Sequence, residues 1–223
     1  MPETTDTPQT TETAKKPATR SAQDTRIANN IADARTLTTR TQADSALVAK
    51  LATRGFPATR LTALVALVDA AQSAFDARQQ AMGAQQSAVA LTQSAYQETY
   101  QLFVELRDSA RLAYLTDSSA WLALGAVGRI PTDSDKFQTA VRAALANAAS
   151  APYKAALAAV GFTDAKHTTL TASLDTHETR RVVSDTAKRD ALAATATRDS
   201  TYKTLGTALL PLKRTLKLIE KSG

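Results

Sequence analysis

An internal duplication constrains this chain more than any other feature of its sequence. The segment Leu51–Val68 is similar to the segment Leu157–Leu174, which begins 106 residues later. Both segments contain a Gly-Phe pair, at Gly55-Phe56 and at Gly161-Phe162. Because the same offset relates the apolar positions from residue 51 to residue 113 to their counterparts, the two copies have equal spacing throughout. This spacing is typical of tandem repeats.

Each copy has the pattern of two helices joined at the Gly-Phe turn. Glycine often ends a helix in the left-handed conformation, and proline cannot continue one. We therefore expect a first helix from about Asp24 to Arg54 and a long helix from Ala58 to Leu115. In the second copy, the shorter helix restarts or bends at Pro152, and the long helix begins near Asp164.

Both long helices carry apolar residues at alternating steps of three and four, which predicts a heptad seam. The seam runs from Leu61 to Ala113 in the first copy and from His167 to Ile219 in the second, where its middle is polar. We expect the first long helix to continue through Gly83 and the second to be kinked at Pro211.

Composition agrees with a helical protein. The 223 residues include no cysteine and only seven glycines, which excludes a disulfide framework and disfavours a sandwich rich in tight turns. The predicted fold is all-α, an elongated helical bundle built from two tandem copies of a short-helix/long-helix hairpin. The predicted divisions are a disordered tail (1–23), repeat 1 (24–115), a linker with a short helix between Asp117 and Gly125 (116–133), and repeat 2 (134–223).

The unequal helix lengths predict an uncovered surface. A first helix of about 31 residues is roughly 45 Å long, whereas the long helix is nearly twice that length. If each short helix covers half of a neighbouring long helix, the end of the second long helix has no partner. Its seam residues are Tyr202, Leu205, Leu209, Leu212, Leu216 and Ile219. Such a seam folds back within the subunit, pairs in a dimer, or accepts the next molecule in an open chain.

No catalytic, cofactor-binding or metal-binding motif is found in the sequence. No glutamate lies three residues before a histidine, as a di-iron bundle requires, and no phosphate-binding loop or nucleophile elbow occurs. His167 and His177 are too far apart along a helix to share one metal. We interpret them as exposed or hydrogen-bonded histidines; the alternative is a proton switch with Arg181 and Lys188. The sequence predicts no enzyme, cofactor or small-molecule substrate.

Charge leaves a second interpretation open. The formal net charge is +6, and one compact basic cluster, Lys213, Arg214, Lys217 and Lys221, lies in the last predicted helix. Such a cluster complements the negative end of a helix dipole, or it binds a polyanion or an anionic membrane surface. No signal peptide or transmembrane stretch is found, so we expect a cytoplasmic protein.

The repeated Gly-Phe turn, together with the segment RDSARLAY and the following WLALG, resembles a family of uncharacterised bacterial tandem helical proteins. The resemblance covers residues 25–221 and implies an extended helical fold with no known activity. From these observations we expect a non-enzymatic structural or interaction protein that associates with itself, as a dimer or filament-like homo-oligomer, through exposed seams. The alternative is a module that binds a polyanion or membrane surface through its basic last helix.

Overall fold

Seven α-helices make up residues 21–221, the part of the chain that the computed structural model describes. In chain order they are α1 (Ala22–Ala43), α2 (Ser45–Thr53), α3 (Ala58–Ala113), α4 (Ser118–Ala123), α5 (Ser134–Ala148), α6 (Ala151–Ala159) and α7 (Asp164–Glu220). No strand occurs within residues 21–221, and the all-α prediction is confirmed. The predicted tail lies outside the described residues except for its last three positions, where α1 already begins.

The duplication is visible in the helix boundaries. Helices α2 and α6 each have nine residues, and α6 begins 106 residues after α2. Both end in the same turn: the Phe56 N–H donates to the Leu51 carbonyl at 3.0 Å, and the Phe162 N–H donates to the Leu157 carbonyl at 2.9 Å. The glycine before each phenylalanine has a positive φ. The Gly-Phe pair thus encodes a Schellman turn in both copies.

The prediction of one helix from Asp24 to Arg54 is wrong, because the chain breaks at Asp44. This residue has an extended backbone, with φ −99° and ψ 95°, and its carboxylate accepts a hydrogen bond from the Leu47 N–H at 2.9 Å. Aspartate competes with the helical backbone for hydrogen bonds, which favours it at a cap over a helix interior. The break that Pro152 predicts in the second copy occurs at the corresponding place, between α5 and α6.

Both long helices are continuous as predicted, and the kink expected at Pro211 stays a prediction. Helix α3 is continuous through Gly83, and α7 is continuous through Pro211. In the linker, the Asp117 carboxylate caps α4 by accepting from the N–H groups of Ser119 and Ala120. Helix α4 spans Ser118–Ala123 and thus lies between Asp117 and Gly125, as predicted.

The described chain packs into two compact units that interleave the repeats. Unit 1 contains residues 21–72 and 201–221, and unit 2 contains residues 73–200. Each unit therefore combines the short helices of one repeat with the start of that repeat's long helix and the end of the other repeat's long helix. The predicted division at 24–115 and 134–223 describes the sequence repeats but does not coincide with these units.

In unit 2, the core forms where α3, α5, α6 and α7 meet. Its largest buried side chains include Phe103, Phe137 and Leu170. Two polar contacts fix an antiparallel pairing of α3 with α7: the Thr99 hydroxyl lies 2.9 Å from the Ser173 hydroxyl, and the Thr92 hydroxyl donates to the Arg180 carbonyl at 3.0 Å. The step from Thr99 back to Thr92 on α3 matches the step from Ser173 forward to Arg180 on α7, and both steps are seven residues.

The polar middle of the α7 seam is explained by incomplete cover. No residue of α7 between His177 and Ala191 is buried, and the same holds for α3 between Phe75 and Ala88. Seam positions here keep contact with solvent. Polar side chains such as Arg181 and Ser184 therefore avoid the full desolvation penalty that an apolar core would impose.

In unit 1, the end of α7 lies against α1, the first helix of the described chain. This end of α7 packs with α1 and the start of α3, which contribute the buried residues Ile27, Ile31, Leu64 and Val68. The Asn30 amide donates to the Tyr202 hydroxyl, and Arg35 pairs with Asp69 at 2.9 Å. The end of α7 therefore has a partner inside the subunit, contrary to the path assumed from helix lengths.

Candidate functional site

The six seam residues predicted as an interaction surface belong to the interior of unit 1. Leu205, Leu209 and Leu212 are buried, and Leu212 is 0% exposed. The other three, Tyr202, Leu216 and Ile219, are half-buried. The prediction of an uncovered seam is wrong because α7 runs antiparallel to α3 and brings its end back against α1. The contact between the end of α7 and α1 joins residues that are far apart in sequence, and helix lengths alone do not predict such a contact.

The basic cluster, in contrast, is exposed. Lys213, Arg214, Lys217 and Lys221 form a stripe that we call the basic stripe. At about 100° per residue, the four side chains fall within an arc of about 100° on α7 that contains none of the buried leucines. No carboxylate of the described residues lies within 4.0 Å of these four cations. The stripe therefore presents uncompensated positive charge to solvent.

Charge is distributed unequally between the units. The described residues of unit 1 contain eleven Lys and Arg against five Asp and Glu, a net charge of +6. Unit 2 contains thirteen of each and is formally neutral. The basic balance of the sequence is thus concentrated in unit 1, and four of the eleven cations there belong to the basic stripe.

Unit 1 offers no exposed aromatic surface in its described residues. Its aromatic side chains there are Phe56 and Tyr202. Phe56 is buried, and Tyr202 is half-buried with its hydroxyl bonded to Asn30. Bases of a single-stranded nucleic acid would therefore find no stacking platform in this part of the chain.

His177 lies in the aromatic core of unit 2. Its ring makes edge contacts with Tyr96, at 5.6 Å between centroids, and with Phe137, at 6.1 Å. Burial lowers the pKa of His177 below its ordinary value, and the positive charge of Arg181 lowers it further, while Glu178 acts in the opposite direction. The charge of Arg181 is itself compensated by Asp135 of α5.

His167 is half-buried, and its Nε2 lies 3.1 Å from the Leu145 carbonyl, so the interpretation as a hydrogen-bonded histidine is confirmed for it. For His177 the same interpretation is wrong, since its ring is part of the core and its buried Nδ1 has no hydrogen-bond partner among the described residues. The proton-switch alternative stays a prediction; Lys188, its third member, is exposed.

Two arginines that no sequence motif indicates hold the linker against α3. The Arg107 Nη2 donates to the Gly128 carbonyl at 2.6 Å, and the Arg111 Nη2 donates to the Ala126 carbonyl at 2.8 Å. Both residues belong to the RDSARLAY segment, but their spacing of four gives no indication that a loop fifteen or more residues later contacts them. Only the tertiary structure brings these groups together.

Within residues 21–221, no three side chains of the metal-ligating types come close enough to hold a metal ion. None of the seven helices there has both the length and the apolar character needed to cross a bilayer. No protein-family model, curated protein or solved structure matches the chain. The resemblance to bacterial tandem helical proteins therefore stays a prediction.

Proposed function

We propose that this chain is a non-enzymatic helical interaction protein and that its unit 1 binds an anionic polymer through the basic stripe. The observation that carries the proposal is the concentration of a net charge of +6 in unit 1, beside a neutral unit 2. A clustered and uncompensated set of cations on one helix face attracts polyanions by releasing their condensed counterions.

The buried seam favours a polymer over a membrane surface. A helix that lies in a bilayer interface needs an apolar face to insert, and the face formed by Leu205, Leu209 and Leu212 is covered by α1 and α3. The absence of an exposed aromatic residue from the described part of unit 1 further favours binding to phosphates over binding to bases. We therefore expect binding without sequence preference.

Fluorescence anisotropy with a short labelled DNA duplex tests the proposal. If the four cations of the basic stripe each contact a phosphate, affinity should fall about 100-fold between about 50 and about 200 mM salt. Replacing Lys213, Arg214, Lys217 and Lys221 together by Gln should abolish most of the binding, because these side chains supply the phosphate contacts.

The matched control replaces four exposed cations of unit 2, Lys136, Arg180, Lys188 and Arg189, by Gln. This variant has the same net charge as the stripe variant and should bind the duplex like the wild type. Equal losses in the two variants would mean that net charge alone attracts the duplex. Binding to anionic lipid vesicles but not to the duplex would replace the polymer by a membrane surface.

A second candidate function, self-association, is favoured by a different surface from the predicted seam. Residues 21–221 have eleven exposed large apolar side chains, and four of them fall within one short segment around the linker: Leu112, Leu115, Leu122 and Val127. We call these four residues the apolar linker surface. Their exposure and their closeness in sequence make them the candidates for a contiguous apolar patch, the kind of surface that marks interaction sites.

Light scattering coupled to size-exclusion chromatography tests this candidate. Leu122→Glu, at a side chain that is 71% exposed, should reduce the molar mass of any oligomer to that of the monomer. Leu192→Glu is the matched control, because Leu192 is 64% exposed and lies outside the apolar linker surface. A wild-type protein that is monomeric at every concentration would remove the candidate.

A further inference from the structure

A cavity in unit 2 is lined by more positive than negative charge. It has a volume of about 390 Å³ and lies between the last turns of α3 and the loop that follows α4. Its lining consists of Tyr100, Val104, Arg107, Asp108, Arg111, Arg129 and Ile130. Three of these seven side chains are arginines and one is a carboxylate, and the volume is within the range of small-molecule sites.

Arg107 is a buried cation without a counter-ion. Its residue is only 6% exposed, and its guanidinium lies 5.9 Å from the centroid of the Phe103 ring. The Gly128 carbonyl accepts from its Nη2, but its buried Nε has no hydrogen-bond partner. Burial lowers the pKa of Arg107, and neighbouring Arg111 lowers it further. A buried charge that no opposite charge compensates is costly to the fold.

Asp108, the one negative charge lining the cavity, favours the charged form of Arg107 but makes no ion pair with it. The Asp108 carboxylate is engaged by the Arg111 Nη1 at 3.0 Å. Arg129 is exposed and makes no hydrogen bond or ion pair with the described residues. Arg107 and Arg129 thus line one cavity, and no carboxylate of residues 21–221 is paired with either of them.

We propose that this cavity binds a small organic anion, with its phosphate or carboxylate group between Arg107 and Arg129. Guanidinium groups bind such oxyanions through charge-assisted hydrogen bonds, and an oxyanion here would supply the missing counter-charge. Tyr100, Val104 and Ile130 form an apolar wall that suits the carbon skeleton of the ligand. The proposal concerns unit 2 and is independent of the basic stripe.

A purely structural role for the arginines makes a different prediction. If Arg107 and Arg111 serve only to fasten the linker through the carbonyls of Gly128 and Ala126, the cavity has no affinity for anions. Replacing Arg129 distinguishes anion binding from a purely structural role. Arg129 makes no hydrogen bond or ion pair with the described residues, so its removal leaves the linker contacts of Arg107 and Arg111 in place.

The experiment is a titration of the full chain with phenyl phosphate, benzoate and inorganic phosphate, followed by the NMR signal of the Arg107 Nε–H group. We expect a saturable shift of that signal and tighter binding of the two aromatic anions than of inorganic phosphate, since their rings contact the apolar wall. A preference between phenyl phosphate and benzoate identifies which oxyanion the cavity takes.

Arg129→Ala should weaken phenyl phosphate binding about tenfold, the effect of losing one charge-assisted hydrogen bond, without changing the melting temperature. Arg180→Ala, which removes an exposed arginine of unit 2 outside the cavity, is the matched control and should bind like the wild type. The absence of a saturable shift, or equal weakening by the two variants, would overturn the proposal. So would displacement of phenyl phosphate by the DNA duplex, which would assign the cavity to a polymer.

Discussion

Gly125 occupies a position that has no room for a side chain. Its φ is +69°, and a Cβ atom built there would lie 3.1 Å from Cζ of Phe103. Phe103 is buried in the core of unit 2, so it cannot move aside easily. Backbone strain and steric conflict thus act together at this residue.

Gly125→Ala should therefore lower the free energy of unfolding by about 1–3 kcal/mol. Gly83→Ala is the natural control, because Gly83 lies inside α3 and no atom lies within 4 Å of its added Cβ. Alanine should stabilise the helix there by about 0.5–1 kcal/mol. Urea unfolding measures both effects, and a destabilising Gly83→Ala would contradict the continuous helix.

His177 should make stability depend on pH. Its pKa is lowered from 6.5 in the folded chain, so below about pH 7 the unfolded chain binds more protons than the folded one. Stability should then fall as the pH decreases, until the folded-state pKa has been passed. His177→Phe keeps a ring against Tyr96 and Phe137 and should reduce this slope, whereas His167→Gln should keep it. Urea midpoints between about pH 5 and about pH 8 provide the measurement; identical slopes in all three proteins would contradict the role of His177.

At the scale of helices, the two copies begin the helix that follows the break, α2 or α6, with different N-terminal residues. Asp44 and Ser150 occupy equivalent positions before α2 and α6. The Asp44 carboxylate caps its helix by accepting from the Leu47 N–H, whereas the Ser150 side chain makes no capping hydrogen bond. Helix α6 instead has Pro152 in its first turn, where the missing N–H of proline leaves no donor unpaired.

Asp44→Ala should consequently destabilise the protein by about 1 kcal/mol, the usual effect of losing an N-cap. Ser150→Ala should change stability by less than half of that, since its hydroxyl donates to the Asn147 carbonyl without capping α6. Circular dichroism during thermal unfolding measures both variants. If Ser150→Ala had the larger effect, the assignment of the caps would be wrong.

At the scale of the whole molecule, the buried end of α7 changes what a mutation in the seam should do. Leu212→Ala should lower the free energy of unfolding by about 2–5 kcal/mol, because it leaves a cavity in unit 1. Leu210→Ala, at a side chain that is 51% exposed on the same helix, should have an effect below about 0.5 kcal/mol.

The melting temperature of Leu212→Ala distinguishes an interior seam from an interface. An interior residue affects stability equally at low and high protein concentration, whereas loss of an interface makes the melting temperature depend on concentration. A concentration-dependent difference between the wild type and Leu212→Ala would restore the seam as a contact between subunits.

Much of the fold follows from local signals. The Gly-Phe turns and the cap at Asp117 depend on backbone preferences of neighbouring residues, whereas the continuity of α3 through Gly83 follows from the heptad pattern; the sequence predicts all three. The break at Asp44 was also detectable, because it lies at the repeat position equivalent to the break before Pro152. It was missed because no proline or glycine marks it in the first copy.

Of the candidate sites, one was predictable from local sequence and the other depends on the tertiary structure. The basic stripe was predictable, since four cations spaced by one to four residues share a face of any helix. The cavity beside Arg107 was not, because it needs a loop fifteen or more residues away to close over α3. The charge difference between the units also became visible only when residues 201–221 were assigned to unit 1 with residues 21–72.

By itself, the sequence determined the helices, their duplicated order and the turns between them, because short-range hydrogen bonding and steric preference decide these features. Only the tertiary structure decided which helix covers which. The antiparallel pairing of α3 with α7 brings Tyr202 beside Asn30, residues 172 positions apart. The hydrophobic effect is not directional. A heptad seam therefore predicts that its apolar residues will be buried, but it does not predict which helix will bury them.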